Sequence, residues 1–250
     1  MSTRHSLPSN PVLPAAPAPT CAAVAGPEVG ALPTEWWSHL GHDLRSSIAP
    51  MRMAVQLLQS GRIAAADQAD ALQVIDRQLD SLLTSIDDLS DLLRLNAGKR
   101  VVNPAPNDLN LLLDIVSGRG SLLKRLEARH QSLSCVPVDA PVITNHDPAR
   151  LVALLEYLIG KSAECAAPGA VLTLELCRQG GQAQMRITGA GPLLAIDPDV
   201  RNVTGAAPIS ADTAGIKSLL MREYARLSAI SFSPIDEKIG IAMAMSLVPD

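Results

Sequence analysis

Leu40-Gly41-His42-Asp43-Leu44-Arg45-Ser46-Ser47-Ile48 decides how this chain is read. It opens an apolar stripe in which Leu40, Leu44, Ile48, Met51, Val55 and Leu58 recur at alternating steps of four and three. That period is one face of an α-helix. Thr34, just after Pro33, is a plausible N-cap for it. Gly61 interrupts the pattern, and a second stripe follows: Ile75, Leu79, Leu82, Ile86, Leu89 and Leu93. Gly98 ends it, with Lys99 and Arg100 beside the helix C-terminus. Two long helices joined by a short connection pair naturally as an antiparallel hairpin. Two helices alone leave apolar stripes uncovered, so the expectation is a homodimer in which two hairpins form a four-helix bundle.

To the N-terminal side, residues 1–33 carry Pro8, Pro11, Pro14, Pro17, Pro19, Pro27 and Pro33 among many alanines. Such a segment holds neither helix nor sheet and reads as a disordered tail. To the C-terminal side the character changes after Pro104 and Pro106. Asn107 to Val116 reads as a helix, and residues 121–130 continue it after the Gly118/Gly120 break. Asp147-Pro148 is an N-cap followed by Pro in the first turn, opening a helix to Ala163. Val171 to Cys177 and Ala183 to Thr188 alternate around Gly180-Gly181, the signature of a hairpin. Residues 216–227 look helical, and Ile230 to Phe232 and Ile239 to Leu247 read as closing strands. Ile239, Ile241, Met243, Met245 and Leu247 share one face of the last. The predicted fold class is α+β. A helical hairpin over 34–100 precedes an α/β sandwich over 101–250, with helices on one face of a mixed or antiparallel sheet.

Composition bounds the function. Apolar residues make up 47% of the 250 residues but aromatics only 2%, so the core must be aliphatic. A formal net charge of −4 argues against a general nucleic-acid binder. Cys21, Cys135, Cys165 and Cys177 form no C-x-x-C pair and have no His cluster nearby, so no metal site is expected. No apolar run of membrane-spanning length and no signal-peptide pattern is found, so a cytoplasmic protein away from membranes is expected.

The chemistry concentrates at His42. It lies two residues from both Leu40 and Leu44, and two helical steps turn about 200°, so it is predicted to point away from the seam. Asp43 is next to it. A carboxylate accepting the Nδ1 proton leaves Nε2 unprotonated and nucleophilic. His39, one turn earlier, is the rival on nearly the same face.

His42-Asp43-Leu44-Arg45-Ser46-Ser47-Ile48 resembles the H-box of two-component histidine kinases, which reads His, Glu or Asp, Leu, Arg, Thr or Ser, Pro, then Leu or Ile. The departure is Ser47 in place of Pro; Pro50 is the nearest substitute for the helix bend. The resemblance covers residues 35–248, including Trp36-Trp37 and Leu92 to Gly98. It implies that His42 is the phosphoacceptor, that Asp43 is its base or orienter, and that Ser46 takes the place of a residue positioning a phosphatase water. It also implies a response-regulator receiver domain as partner, with Arg45, Met51 and Arg52 among the candidate specificity residues.

The resemblance implies an ATP site in the second half, and its boxes are degenerate. Lys161 stands where the family has an Asn that holds Mg²⁺, and a lysine has no acceptor with which to ligate a metal. Its alternative reading is an ordinary exposed lysine. Glu164 stands where a basic residue is common. Around Gly191-Pro192, Gly189 replaces the Asp that accepts the adenine amino group. The last glycine box, which wraps the triphosphate at a helix N-terminus, keeps only Gly215, with Asp212 nearby. Lys161, Gly189, Gly191 and Gly215 are therefore family ATP-site positions from which ATP and Mg²⁺ binding is expected to be lost. Three functions follow: a phosphotransfer protein using His42, a divergent ATP-dependent histidine kinase, or a pseudokinase that binds a kinase or response regulator.

Overall fold

Glu35–Gln59 forms helix α1 and Ala65–Asn96 forms helix α2 of a computed structural model. The model describes residues 35–61, 64–97, 99, 102–179, 181–191, 197–205, 215–235 and 240–248. The sequence reading of residues 1–33 as a tail lies outside them, and all described residues belong to one unit, Ala31–Asp250. Helix α1 runs unbroken through Pro50, and Gly61 takes a positive φ of 64° in the turn to α2. The two helices cover only part of the predicted stripes. Ser47 and Ala54 on α1 and Ala71 on α2 are buried, and Leu44, Met51, Leu58, Ile75, Leu82 and Leu89 of the predicted stripes are half-buried. Ile48, Val55, Leu79, Ile86 and Leu93 of the predicted stripes stay exposed in the single chain.

The second half begins with strand β1 (Ala105–Asp108), helix α3 (Leu109–Ser117) and helix α4 (Gly120–Glu127). The predicted helix start at Asn107 is thus corrected. Asn107 and Asp108 pair in the strand, and the Asp108 carboxylate caps α3 by accepting from the Asn110 N–H at 3.0 Å. Strands β2 (Ser132–Val136) and β3 (Ile143–His146) follow, neither of them marked by the sequence reading. Helix α5 (Pro148–Cys165) opens as expected on the Asp147 cap, which accepts from the Ala149 and Arg150 N–H groups. Strands β4 (Val171–Gln179) and β5 (Gln182–Thr188) make the predicted hairpin. Helix α6 (Pro198–Val203), helix α7 (Ile216–Leu227), β6 (Ser231–Pro234) and β7 (Gly240–Ser246) complete the order.

The main sheet has the order β2-β4-β5-β7-β6. Only the β2–β4 pair is parallel, so the sheet is mixed. Strands β1 and β3 form a separate antiparallel pair. The inward rows Leu172, Leu174, Leu176, then Ala183, Met185, Ile187, then Ile241, Met243, Met245 are all buried. Leu154, Leu155, Leu158 and Ile159 of α5 belong to the same core. Burying each such Leu, Ile or Met side chain contributes about 1.5–3 kcal/mol before entropy is charged. With almost no aromatics, aliphatic interdigitation carries the core, as the composition implied.

Candidate functional site

The phosphoacceptor segment sits in the first turns of α1. The backbone is helical through His39, His42, Asp43 and Ser46. The side chains of His39, His42 and Asp43 lie outside the described residues, as do those of Trp36 and Trp37. Backbone spacing puts Ser46 one turn beyond His42 on the same face. Ser46 and Arg45 are exposed, while Ser47, at the family's Pro position, is buried. The Arg45 guanidinium folds back over Gly41, with Nη1 3.6 Å from where a Cβ on that glycine would stand. A cation therefore lies one residue from the His42 backbone.

Of the positions that the resemblance assigns to nucleotide, Lys161 on α5 and Gly215 at the start of α7 are both held by Asp199 of α6. Lys161 is corrected from an exposed lysine to a half-buried one. Its Nζ lies 2.8 Å from Asp199 Oδ2, 3.4 Å from Glu164 and 3.9 Å from Asp197. Burial alone would lower its pKa, but the Asp199 hydrogen bond and the charges of Asp199, Asp197 and Glu164 outweigh it and hold the ammonium above its ordinary value. Glu164 is likewise engaged, facing both Lys161 and Arg125. Asp199 turns its other oxygen to Gly215, whose N–H donates at 3.3 Å. Gly215 is the N-cap residue of α7. Asp197 caps α6, accepting from the Val200 N–H at 3.0 Å. Tyr157 lies in the same wall; burial, then the charges of Asp199 and Asp197, push its phenol far above the usual range, and Ser218 hydrogen-bonds to it. Arg125 packs its guanidinium on Gly160, where a Cβ would meet Nη2 at 2.6 Å. A cavity of about 240 Å³ remains between Arg125, Tyr157, Lys161 and Lys217.

Gly189 has φ +93°, and a Cβ there would collide with the Val171 carbonyl oxygen. Gly191 also has a positive φ, +79°, but faces open space. Pro192 and Asp212, named in the sequence reading, lie outside the described residues. Among the described residues, the positions that the resemblance assigns to nucleotide do not offer MgATP the groups that it implies. The metal position is a paired cation, the adenine position has no acceptor and no room for one, and the Gly215 N–H is taken by a carboxylate. Sequence reasoning missed Asp197 and Asp199. Asp197-Pro198 repeats the Asp-Pro cap recognised at Asp147-Pro148 and could have located α6.

The site is tied to the hairpin. Lys217, two residues past Gly215, lies 3.8 Å from Asp88 of α2, and Arg150 Nη2 is 2.5 Å from Asp91 Oδ2. Leu92, next to Asp91, is buried in the α/β core. Burial raises the Asp88 pKa, with Lys217 opposing it. Among the described residues Cys135, Cys165 and Cys177 are free thiols, and no metal-binding group of side chains occurs. Burial is the leading cause that raises each thiol pKa, which disfavours reactive thiolates. No described helix is long and apolar enough to cross a membrane.

Residues 34–98 match the His Kinase A (phospho-acceptor) domain. The sensor protein GacS of Pseudomonas syringae pv. syringae is 25% identical over 166 residues, covering 64% of this chain and 18% of GacS. The chain therefore spans less than a fifth of that relative. Histidine kinase AdeS of Acinetobacter baumannii superposes with a TM-score of 0.60 at 16% identity, covering 83% of this chain and 98% of that one. Histidine kinase ThkA, in complex with response regulator protein TrrA, gives a TM-score of 0.63 at 11% identity, covering 86% of this chain and 62% of that one. At such identities the structural likeness speaks for the fold. Residues 34–98 are therefore matched by the His Kinase A phosphoacceptor domain, and the whole described chain has the fold of histidine kinase cores.

Proposed function

We propose that this chain is a phosphotransfer protein of two-component signalling that works without ATP. His42 takes a phosphoryl group from the aspartyl phosphate of one response-regulator receiver domain and passes it to the aspartate of another. In the first step the P–O bond of the aspartyl phosphate breaks and a bond from phosphorus to His42 Nε2 forms. Asp43 holds the Nδ1 proton and so keeps Nε2 nucleophilic. Ser46, one turn on, has the position from which a hydroxyl orients water for dephosphorylation. Arg45 supplies local positive charge toward the phosphoryl oxygens.

One observation carries this reading over an ATP-using one. Lys161 and Gly215, which the resemblance assigns to metal and phosphate, are instead held by Asp199 through an ion pair and a hydrogen bond. The partners are then a receiver domain and a second copy of the chain, in the cytoplasm, with no role for nucleic acid or membrane. The structure of ThkA bound to TrrA supports a receiver docking on such a core. A divergent ATP-dependent kinase is the second reading, favoured by the cavity beside Arg125, Lys161 and Lys217.

The test is transfer of label. A radiolabelled, phosphorylated receiver domain should label the wild type and leave His42→Gln unlabelled, while γ-labelled ATP with Mg²⁺ labels neither. Equal labelling of His42→Gln from the receiver would sink the phosphotransfer reading. Labelling of the wild type by ATP would establish the kinase instead.

A further inference from the structure

We propose that Asp199 is a resident anion that stands in for the nucleotide phosphate and fastens α5, α6 and α7 together without a ligand. The inference rests on the reading that this chain does not use ATP, and it assigns that site a different task.

A helix N-terminus presents unsatisfied N–H groups and a positive dipole end, a natural seat for an anion. At the N-terminus of α7 the anion present is a side chain. Asp199 Oδ1 accepts from the Gly215 N–H at 3.3 Å, and Oδ2 meets Lys161 Nζ at 2.8 Å. The carboxylate thus lies between a helix N-terminus and a cation, the surroundings a phosphate would have. Lys161 occupies the family's metal position, so the Lys161–Asp199 pair reproduces the sign pattern of metal and phosphate with side chains alone. Both are mostly sheltered, with side-chain exposures of 22% and 20%.

The surrounding residues gather on the same ammonium and helix. Asp197 starts α6 and also faces Lys161 at 3.9 Å, so α6 presents two carboxylates to one ammonium. Glu164, a turn beyond Lys161, takes its remaining side at 3.4 Å. Arg125 comes to Glu164 from α4. Tyr157, one turn before Lys161, is hydrogen-bonded to Ser218 in the first turn of α7. Removing Asp199 takes the acceptor from the Gly215 N–H and leaves Lys161 only its longer contacts to Glu164 and Asp197, and removing Lys161 leaves three carboxylates facing one another without a cation.

The experiment is thermal melting of the full chain in sodium chloride and in sodium phosphate at matched ionic strength, for the wild type, Asp199→Ala and Asp199→Asn. The wild type should melt at the same temperature in both salts and with MgATP. Both variants should melt about 4–8 °C lower in chloride. Phosphate should recover at least half of that loss by seating between Lys161 and Gly215, and Lys161→Gln on either variant background should abolish the recovery. Asp199→Asn keeps the shape of the side chain and carries the comparison where the alanine variant does not fold. Variants that melt with the wild type would overturn the proposal, as would a wild type stabilised by phosphate or MgATP. Receiver-dependent labelling of His42 in Asp199→Asn separates the two claims. A wild type that no receiver labels counts against phosphotransfer alone, and the melting series decides the Asp199 assignment.

Discussion

At φ +93°, with the Val171 carbonyl over its Cα, Gly189 tolerates no side chain. The family's adenine anchor therefore cannot be put back by one substitution. Gly189→Asp is expected to give no nucleotide binding by calorimetry and to lose stability. Strain at such a φ costs about 1–3 kcal/mol, and the collision with β4 adds to it. A stable Gly189→Asp protein that binds ATP would show that the strand end yields and that only the acceptor was missing. The sequence exposed the loss at Gly189 but not its cause, because the cause is the carbonyl of a strand eighteen residues earlier. Lys161 illustrates the same divide. Its type excluded metal ligation at once, yet its burial and its partner came from α6, whose place in space no local pattern encodes. His42 was the reverse case: its neighbours in sequence carry its meaning, and helical spacing suffices to put Ser46 beside it.

Among elements, length decided what could be read. Helices α1, α2, α5 and α7 repeat their apolar period over several turns, and the β4–β5 hairpin alternates cleanly. The strands that escaped are short and compositionally unlike strands. Strand β1 contains Pro106 and Asp108, and β3 buries Thr144 and His146 where apolar residues would be expected. Their pairing is supplied by each other and by the bridge from Thr144 to Leu247, contacts remote in sequence. The docking of α2 on the α/β half belongs to this scale too. Asp88 and Asp91 stand on one face of α2 and meet Lys217 of α7 and Arg150 of α5 while Leu92 inserts into the core. Asp91 and Arg150 are each largely sheltered, so their pair should couple the halves measurably. A double-mutant cycle with Asp91→Ala and Arg150→Ala should return a coupling on the order of 1 kcal/mol in denaturant unfolding. The single variants should also be cut faster by protease between residues 97 and 104. Additive effects and unchanged cleavage would mean that the other contacts of α2, Asp88–Lys217 and the packing of Leu89, Leu92 and Leu95, hold the halves together without this pair.

For the molecule as a whole, the composition of the hairpin implies a second copy. Leu72, Leu79, Ile86 and Leu93 recur every seven residues along α2 and are 58%, 45%, 45% and 39% exposed. Ile48 and Val55 repeat the interval on α1. Ser47, Ala54 and Ala71 are buried and Leu44, Met51, Ile75 and Leu82 half-buried within the single chain, so the exposed members of the stripes are left for another partner. Their heptad spacing is that of a helical-bundle seam, and exposed apolar lines of this length seldom stay uncovered. A dimer built on them would set two phosphoacceptor helices in one bundle while each α/β half remains docked on its own α2. Leu79→Glu combined with Ile86→Glu places four like charges at the centre of that interface. The double variant should sediment as a monomer where the wild type sediments as a dimer. Its α/β half should melt as before, because neither residue belongs to the core around Leu92. Retention of the dimer by the double variant would put the second copy on a different surface and leave these leucines and isoleucines for the receiver domain.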